Sequence, residues 1–245
     1  MSHYLGEFIG TMLLIIFGDG VVANVVLNKT KGHNSGWIVI ATGWGLGVAL
    51  AVYAVSSVSG AHINPAVTIA LAAIGKFSWT QVPGYIAAQV AGAAVGSAVV
   101  WLAYLPHWKE TSDPSAKLAV FCTSPAIRTT SGNFICEAIG TFVLVMGSLA
   151  IASPVNLLPN SGFDKGFGPA LAGLLVWAIG LSLGGPTGYA INPARDFGPR
   201  LAHAILPVAG KGDSQWQYAW VPVLAPIVGG VLGAFAYRAL WPALA

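Results

Sequence analysis

The stretch that decides the fold of this chain is residues 59–66, which read SGAHINPA and recur 128 positions later as residues 187–194, TGYAINPA. In both copies an asparagine precedes a proline, at Asn64–Pro65 and at Asn192–Pro193. Asparagine is a favoured helix N-cap, and proline suits the first helical position because the N–H that it lacks would be unpaired there. The repeat therefore predicts two helix starts at equivalent places in two halves of the chain.

Each Asn-Pro-Ala triplet, completed by Ala66 or Ala194, opens a short segment, at about 65–75 and about 193–204. At a rise of 1.5 Å per residue, each segment gives a helix of about 17–18 Å, roughly half of a 30 Å hydrocarbon core. Two half-helices that enter from opposite faces would meet with their N-termini near the midplane. A single Asn-Pro pair is usually an ordinary cap in a loop, but its recurrence in two repeats favours a transport path between them.

The composition of the 245 residues indicates that these helices lie in a membrane. Eight acidic and eleven basic residues make up only 8% of the chain, against roughly 25% in ordinary globular proteins. So few charges cannot cover a soluble fold of this size, and the net charge of +3 is too small for a nucleic-acid-binding surface. We therefore exclude a disordered chain, an ordinary soluble enzyme and a nucleic-acid binder, and expect a polytopic protein in the lipid bilayer.

Six apolar segments are long enough to cross the bilayer. They are predicted to be helices, because a lipid-exposed strand edge would leave backbone groups unpaired, and they lie at about 4–26, 37–58, 79–103, 133–152, 167–185 and 217–240. Two repeats, about 1–105 and 133–245, contain three spans each, and this odd number inverts one repeat relative to the other. The connection 106–132 is predicted as a loop, and the chain 1–245 as a single domain.

Signals for catalysis and metal binding are absent from the sequence. Cys122 and Cys136 are too few for a disulfide framework and lack metal-ligand spacing. We find no pair of nucleophile and base and no phosphate-binding loop. We therefore expect no metal, no cofactor and no enzymatic activity. Asp19, inside the first span, is given no role.

Residues 59–68, SGAHINPAVT, and 188–199, GYAINPARDFGP, resemble the aquaporin and glycerol facilitator family of major intrinsic proteins, in its aquaglyceroporin branch. The resemblance covers nearly the whole chain. It implies an all-α membrane protein of six tilted helices and two re-entrant half-helices, with one pore per subunit. It also implies a homotetramer in the plasma membrane with both termini in the cytoplasm. The distribution of lysine and arginine between the connections favours the opposite orientation, and here we follow the family.

The resemblance also predicts a constriction formed by four residues, Trp44, Gly180, Tyr189 and Arg195. A charge at membrane depth is costly unless it lines water, which agrees with a pore position for Arg195. Trp44 by itself is more typical of an interfacial aromatic belt, and only the resemblance assigns it to the constriction. In the family reading, Gly180 leaves room for a carbon skeleton, and Trp44 and Tyr189 face the alkyl side of a polyol. Glycerol facilitators commonly carry Phe where Tyr189 stands.

Two acids at equivalent repeat positions, Glu7 and Glu137, are predicted to have a buried structural role. By resemblance they hold the amides of the re-entrant loops. The loop carbonyls would then face the pore as a ladder of acceptors, contributed by Gly60, Ala61, His62, Gly188, Tyr189 and Ala190. Asp196 and Arg200 are spaced i,i+4 and are predicted to stabilise their own helix, and by resemblance they mark the glycerol-permeable branch.

Together these features predict a passive channel for glycerol and other small uncharged solutes, with water, that excludes protons and ions. Dihydroxyacetone, lactic acid, urea and hydrogen peroxide are further candidate solutes, which the sequence does not rank. Two alternatives stay open. One is a predominantly water-selective channel of the same fold, and the other is an inverted-repeat secondary transporter. No intramembrane acid has an evident proton or Na⁺ partner, which speaks against the transporter.

Overall fold

The structure is a computed structural model, and it describes residues 1–154, 156–157 and 162–241. The described part is helical and contains no β-strand. Its helices in chain order are α1 (His3–Val26), α2 (Trp37–Ser59), α3 (Pro65–Ala73), α4 (Val82–Ala103), α5 (Leu105–Glu110), α6 (Pro114–Phe121), α7 (Thr130–Ile151), α8 (Phe163–Leu183), α9 (Pro193–Ile205) and α10 (Trp220–Leu240). Helices α1, α2, α4, α7, α8 and α10 are long and apolar enough to cross a membrane. The expected all-α fold with six spans is confirmed.

The short helices and the central connection show where local sequence sets the boundaries. Helices α3 and α9 begin at the two motif prolines, Pro65 and Pro193, as predicted. The connection 106–132, predicted as a loop, instead contains α5 and α6, each with a proline in its first turn. Asp113 caps α6 by accepting a backbone N–H through its side chain. The apolar-span pattern does not detect helices of this length.

Helix packing interlocks the two repeats. Within the repeats, α1 packs against α2 and α4, and α7 packs against α8 and α10. Across the repeats, α2 runs along α8, while α3 packs on α10 and α9 packs on α4. Each half-helix is therefore held by a spanning helix of the other repeat, and this arrangement brings the two motif loops together.

Two equivalent glycines allow the closest of these helix approaches. A Cβ atom added at Gly92 of α4 would lie 2.2 Å from the Phe8 carbonyl oxygen of α1. A Cβ atom added at Gly229 of α10 would lie 2.0 Å from the Ala138 carbonyl oxygen of α7. Only glycine fits such backbone contacts, which are a common basis of helix association where lipid supplies no hydrophobic drive.

Candidate functional site

The two asparagines cap the half-helices through their side chains. The Asn64 Oδ1 atom accepts the backbone N–H of Ala66 at 2.9 Å. In the second repeat, Asn192 Oδ1 accepts from Ala194 at 3.0 Å and from Arg195 at 3.3 Å. The side-chain oxygens are thereby turned toward the helix starts, and the amide nitrogens point away from them.

Those amide nitrogens join the two repeats. Asn64 Nδ2 donates to the carbonyl of Ile191 at 2.9 Å, and Asn192 Nδ2 donates to the carbonyl of Ile63 at 2.8 Å. Each amide group has two N–H donors, so one N–H of each asparagine lies outside this reciprocal pair. Both asparagines line the central cavity, so the second N–H of each can serve as a hydrogen-bond donor there.

The first re-entrant loop is held by a buried carboxylate. Glu7 Oε1 accepts the Ser59 hydroxyl at 2.6 Å and the His62 backbone N–H at 3.0 Å. Glu7 Oε2 accepts the Ile63 backbone N–H at 2.6 Å and the Gln89 side-chain amide at 2.7 Å. Four donors on a fully buried side chain satisfy polar groups that would be costly to leave unpaired at this depth.

The second loop repeats this arrangement around Glu137. Its Oε1 atom accepts from the Ala190 backbone N–H at 2.9 Å, and its Oε2 atom accepts from Ile191 at 2.8 Å. Glu137 is 1% exposed, so it is as deeply enclosed as its counterpart. Both acids therefore contact the amides of their loops, and the Thr187 side chain, at the position equivalent to Ser59, is a further hydrogen-bond partner of Glu137.

Both loops take left-handed backbone conformations at matching positions. The φ angle is 50° at Ala61 and 44° at Ile63 in the first loop, and 38° at Tyr189 and 43° at Ile191 in the second. Such conformations cost about 1–3 kcal/mol each for residues with a Cβ, and they persist only where the surroundings impose them. The buried carboxylates supply that constraint, since they bind the amides at these turns.

A cavity of about 740 Å³ lies between the repeats. It follows α2 from Trp44 to Ser57, about 20 Å along the helix axis. The predicted site residues that line it are Trp44, Gly60, Ala61, His62, Asn64, Tyr189, Ala190, Asn192 and Arg195. Gly180 and Gly188 are not among the lining residues, and Pro65, Ala66, Pro193 and Ala194 are buried in the first turns of their helices. Five of the six residues of the predicted carbonyl ladder line the cavity. That their carbonyls face the pore stays a prediction.

Arg195 and Trp44 contact each other in the lining of this cavity. The Arg195 guanidinium carbon lies 4.1 Å from the centre of the Trp44 ring, which is the geometry of a cation–π contact. Its Nη1 atom donates to the carbonyl of Phe121 at 3.3 Å. Arg195 is 6% exposed and Trp44 4%. Sequence reasoning missed Phe121, because a backbone carbonyl leaves no signal in the residue type.

At Gly180 the structure differs from the expectation of open space. A Cβ atom added there would lie 2.7 Å from Cζ and 2.8 Å from the hydroxyl oxygen of Tyr189. The ring of Tyr189 therefore fills the space that the glycine leaves. No hydrogen bond to the Tyr189 hydroxyl is formed by any described residue. Tyr189 lines the cavity, and Gly180 is not among the lining residues.

Asp196 and Arg200 do more than stabilise their own helix, which is all that was expected of them. They form a fully buried ion pair at 2.8 Å. Asp196 also accepts the backbone N–H and the hydroxyl of Thr123 at 2.8 and 2.7 Å, and Arg200 donates to the carbonyls of Thr123 and Ser214 at 2.9 and 2.7 Å. The pair thereby fastens two connections to α9, one of which carries the Phe121 carbonyl that accepts from Arg195.

Three polar groups lie outside this arrangement. Cys122 is buried, and burial raises the pKa of its thiol. Cys136 is half-buried, with its sulfur 3.6 Å from the Leu183 carbonyl oxygen. Asp19 is buried in α1 and accepts the Ser97 hydroxyl through Oδ2, while within the described ranges its Oδ1 atom accepts no hydrogen bond. None of the three is among the residues that line the cavity.

Comparisons with known proteins agree with this geometry. A sequence model of the family described as Major intrinsic protein matches residues 1–237. The chain is 67% identical to the "Probable glycerol uptake facilitator protein" of Thermotoga maritima over 98% of this chain and all of that protein. It is 59% identical to the "Glycerol uptake facilitator protein" of Bacillus subtilis over 98% of this chain and 85% of that protein. The solved structure of the aquaglyceroporin from Plasmodium falciparum is 32% identical with a TM-score of 0.86, over 99% of this chain and 97% of that one.

Proposed function

The chain belongs to the major intrinsic protein family and is a multi-pass membrane channel, not an enzyme; on this premise we propose that it conducts glycerol and other small uncharged solutes passively, together with water. The proposal extends to dihydroxyacetone, protonated lactic acid, urea and hydrogen peroxide, which share small size and neutrality. It also takes from the family a homotetramer in the plasma membrane with both termini in the cytoplasm. The names of two highly similar proteins, both glycerol uptake facilitators, support the choice of solute.

The observation that carries the proposal is the meeting of an aromatic wall and one cation in the same cavity. Trp44 and Tyr189 line the cavity with Arg195, whose guanidinium stacks on the Trp44 ring. A polyol has an alkyl side and a hydroxyl side. Its carbons would pack on the rings, and its hydroxyl oxygens would accept hydrogen bonds from Arg195. Such a site would replace the contacts with water that a polyol loses on entry. It would not be specific for one solute.

Beyond the constriction, the two loops offer both kinds of hydrogen-bonding group. The second N–H of Asn64 and of Asn192 would donate to a solute oxygen. Loop carbonyls would accept from solute hydroxyls, which is the usual use of irregular backbone inside a membrane. A neutral solute could thus exchange hydrogen bonds along the path without carrying its water shell.

Charge would exclude ions from the same path. The N-termini of α3 and α9 meet through the asparagine amides, and each helix start carries about half a positive charge. Arg195 adds a full positive charge close by. Half-helix dipoles and an arginine are the means by which channels of this type reject protons and cations.

The packing of Tyr189 against Gly180 favours a second candidate, a channel that passes mainly water. The ring takes up space that a wider filter would leave to a carbon chain. Water needs less width than glycerol, so this contact would penalise glycerol first. The two candidates therefore differ in one measurable quantity, the ratio of glycerol to water permeability.

Stopped-flow light scattering on proteoliposomes measures that ratio directly. Purified protein is compared with empty vesicles for water and for glycerol, with and without an ion gradient. We expect a glycerol permeability well above the empty-vesicle value. The glycerol flux should rise linearly with the glycerol concentration and should not depend on the ion gradient. Water flux without glycerol flux would select the water channel. Saturable uptake driven by the gradient would select the secondary transporter and overturn both channel proposals.

A further inference from the structure

A second tryptophan, at the start of α2, lies on the same helical face as Trp44 but is not among the residues that line the cavity. Trp37 is the first residue of α2 and precedes Trp44 by seven positions. Seven residues at 100° each bring the chain back to within about 20° of the same face, about 10 Å further along the axis. Trp37 is 40% exposed and Trp44 4%. A solute that enters from this end would meet the exposed ring before the buried one.

The indole of Trp37 does not hydrogen-bond as an ordinary interfacial tryptophan would. Interfacial tryptophans present their N–H to water or lipid headgroups. Here Trp37 Nε1 donates to the Gly180 carbonyl oxygen at 2.9 Å, across 143 positions of sequence. Gly180 lies in the last turn of α8, where carbonyls have no partner within the helix. The bond therefore ties the start of α2 to the end of α8 at the filter glycine.

Trp37 also completes a cage around the Tyr189 ring. The two rings meet edge to face, with centres 5.8 Å apart and planes at 75°. Cβ atoms added at Gly180 and Gly184 would lie 2.7 Å from Tyr189 Cζ and 2.6 Å from Tyr189 Cδ1. Backbone thus forms two walls of the cage, and Trp37 forms a third. The two backbone walls cannot be removed by substitution. The third wall is the Trp37 side chain, which a substitution can remove.

We propose that Trp37 is a positioning residue that holds the Tyr189 ring at the constriction and so sets the largest solute that passes. The inference rests on the proposed function, since it concerns the width of the same path. Without the Trp37 ring and its bond to Gly180, Tyr189 can turn away from the path toward the space that the indole occupied. The filter then becomes wider, and Arg195 and Trp44 keep their own contact.

The test compares a three-carbon with a four-carbon polyol. Permeabilities of glycerol and erythritol are measured in proteoliposomes for the wild type, Trp37→Phe and Trp37→Leu. Trp37→Phe keeps an aromatic ring but loses the N–H donor, and Trp37→Leu loses both. We expect the erythritol-to-glycerol ratio to rise by roughly fivefold in Trp37→Phe, the fold-change that corresponds to one net hydrogen bond of about 1 kcal/mol, and further in Trp37→Leu. The matched control is Trp220→Phe, at the first residue of α10 and 44% exposed, which should leave the ratio unchanged.

A double-substitution arm separates positioning from general support of the helices. In a Tyr189→Ala background the ring that Trp37 holds is gone, so Trp37→Phe should no longer change the ratio. An unchanged ratio in both single Trp37 variants, or an equal change with and without the Tyr189 ring, overturns the inference. If the wild type passes water but no glycerol, the proposed solute fails, and the inference is then judged by whether Trp37→Leu raises the glycerol-to-water ratio. An unchanged ratio in that case overturns it as well.

Discussion

Replacing Gly180 with alanine turns the contact between Gly180 and Tyr189 into a quantitative test of the constriction. The new Cβ atom would lie 2.7 Å from Tyr189 Cζ and 3.0 Å from Cε2. Non-bonded carbons settle at about 3.5–4.0 Å, so the ring must retreat by about 1 Å. Because Tyr189 lines the cavity and Gly180 does not, we expect the displaced ring to move into the solute path. Overpacking of this kind costs about 1–3 kcal/mol of stability.

We expect Gly180→Ala to lower glycerol permeability by about tenfold or more, equivalent to about 1.4 kcal/mol on the barrier. Water permeability should fall far less, because water needs less width. Both are measured by stopped-flow light scattering at equal protein density. The double variant Gly180→Ala/Tyr189→Ala should restore glycerol flux. It lacks the Tyr189 ring, so the new Cβ atom at position 180 has no ring to displace into the path. Gly20→Ala is the matched control, because its nearest neighbour atom would be 4.0 Å away. An unchanged glycerol-to-water ratio in Gly180→Ala would refute the reasoning.

Arg195→Val removes the fixed positive charge at the filter, and we expect proton or cation leak with wider solute passage, measured with a pH-sensitive dye inside vesicles. Mercuric ion should not block the pore rapidly, because Cys122 is buried with its pKa raised by that burial and neither Cys122 nor Cys136 lines the cavity; fast, thiol-reversible block would contradict this. Asp196→Asn leaves Arg200 with a weakened buried partner and should lower the melting temperature in detergent, since breaking a buried ion pair costs about 3–5 kcal/mol. An unchanged melting temperature would show that the pair does not hold the connections.

The fold could be predicted largely from local patterns. Six long apolar segments specify membrane helices, because the bilayer has no water to pair with exposed backbone. The twin Asn-Pro-Ala motifs specify the half-helix starts at Pro65 and Pro193, because capping depends on neighbouring residues alone. Three spans per repeat specify the inversion. The short helices α5 and α6 escaped prediction, since the span pattern only detects segments of membrane length.

The candidate site was predictable by residue type and only partly by geometry. The asparagines, the two acids and the arginine each carry a polar group that is costly in an apolar span, which is why their positions stood out in the sequence. Their partners did not stand out. The carbonyls of Ile63, Ile191 and Phe121 that bind these side chains belong to residues whose type gives no indication of such a role.

The sequence by itself determined the class of protein, the inverted repeat and the two capped half-helices, because each of these follows from composition, periodicity or contacts between near neighbours. Only the tertiary structure decided how the filter is filled. Glycine at 180 indicates space, but what occupies that space depends on residues far apart in sequence, here Tyr189 in the second loop and Trp37 at the start of α2. Likewise, the sequence predicts only a local helix contact between Asp196 and Arg200. The contacts of this ion pair with the central connection exist only in the folded chain. Packing is a property of distant residues brought together, and it leaves no periodic trace along the chain.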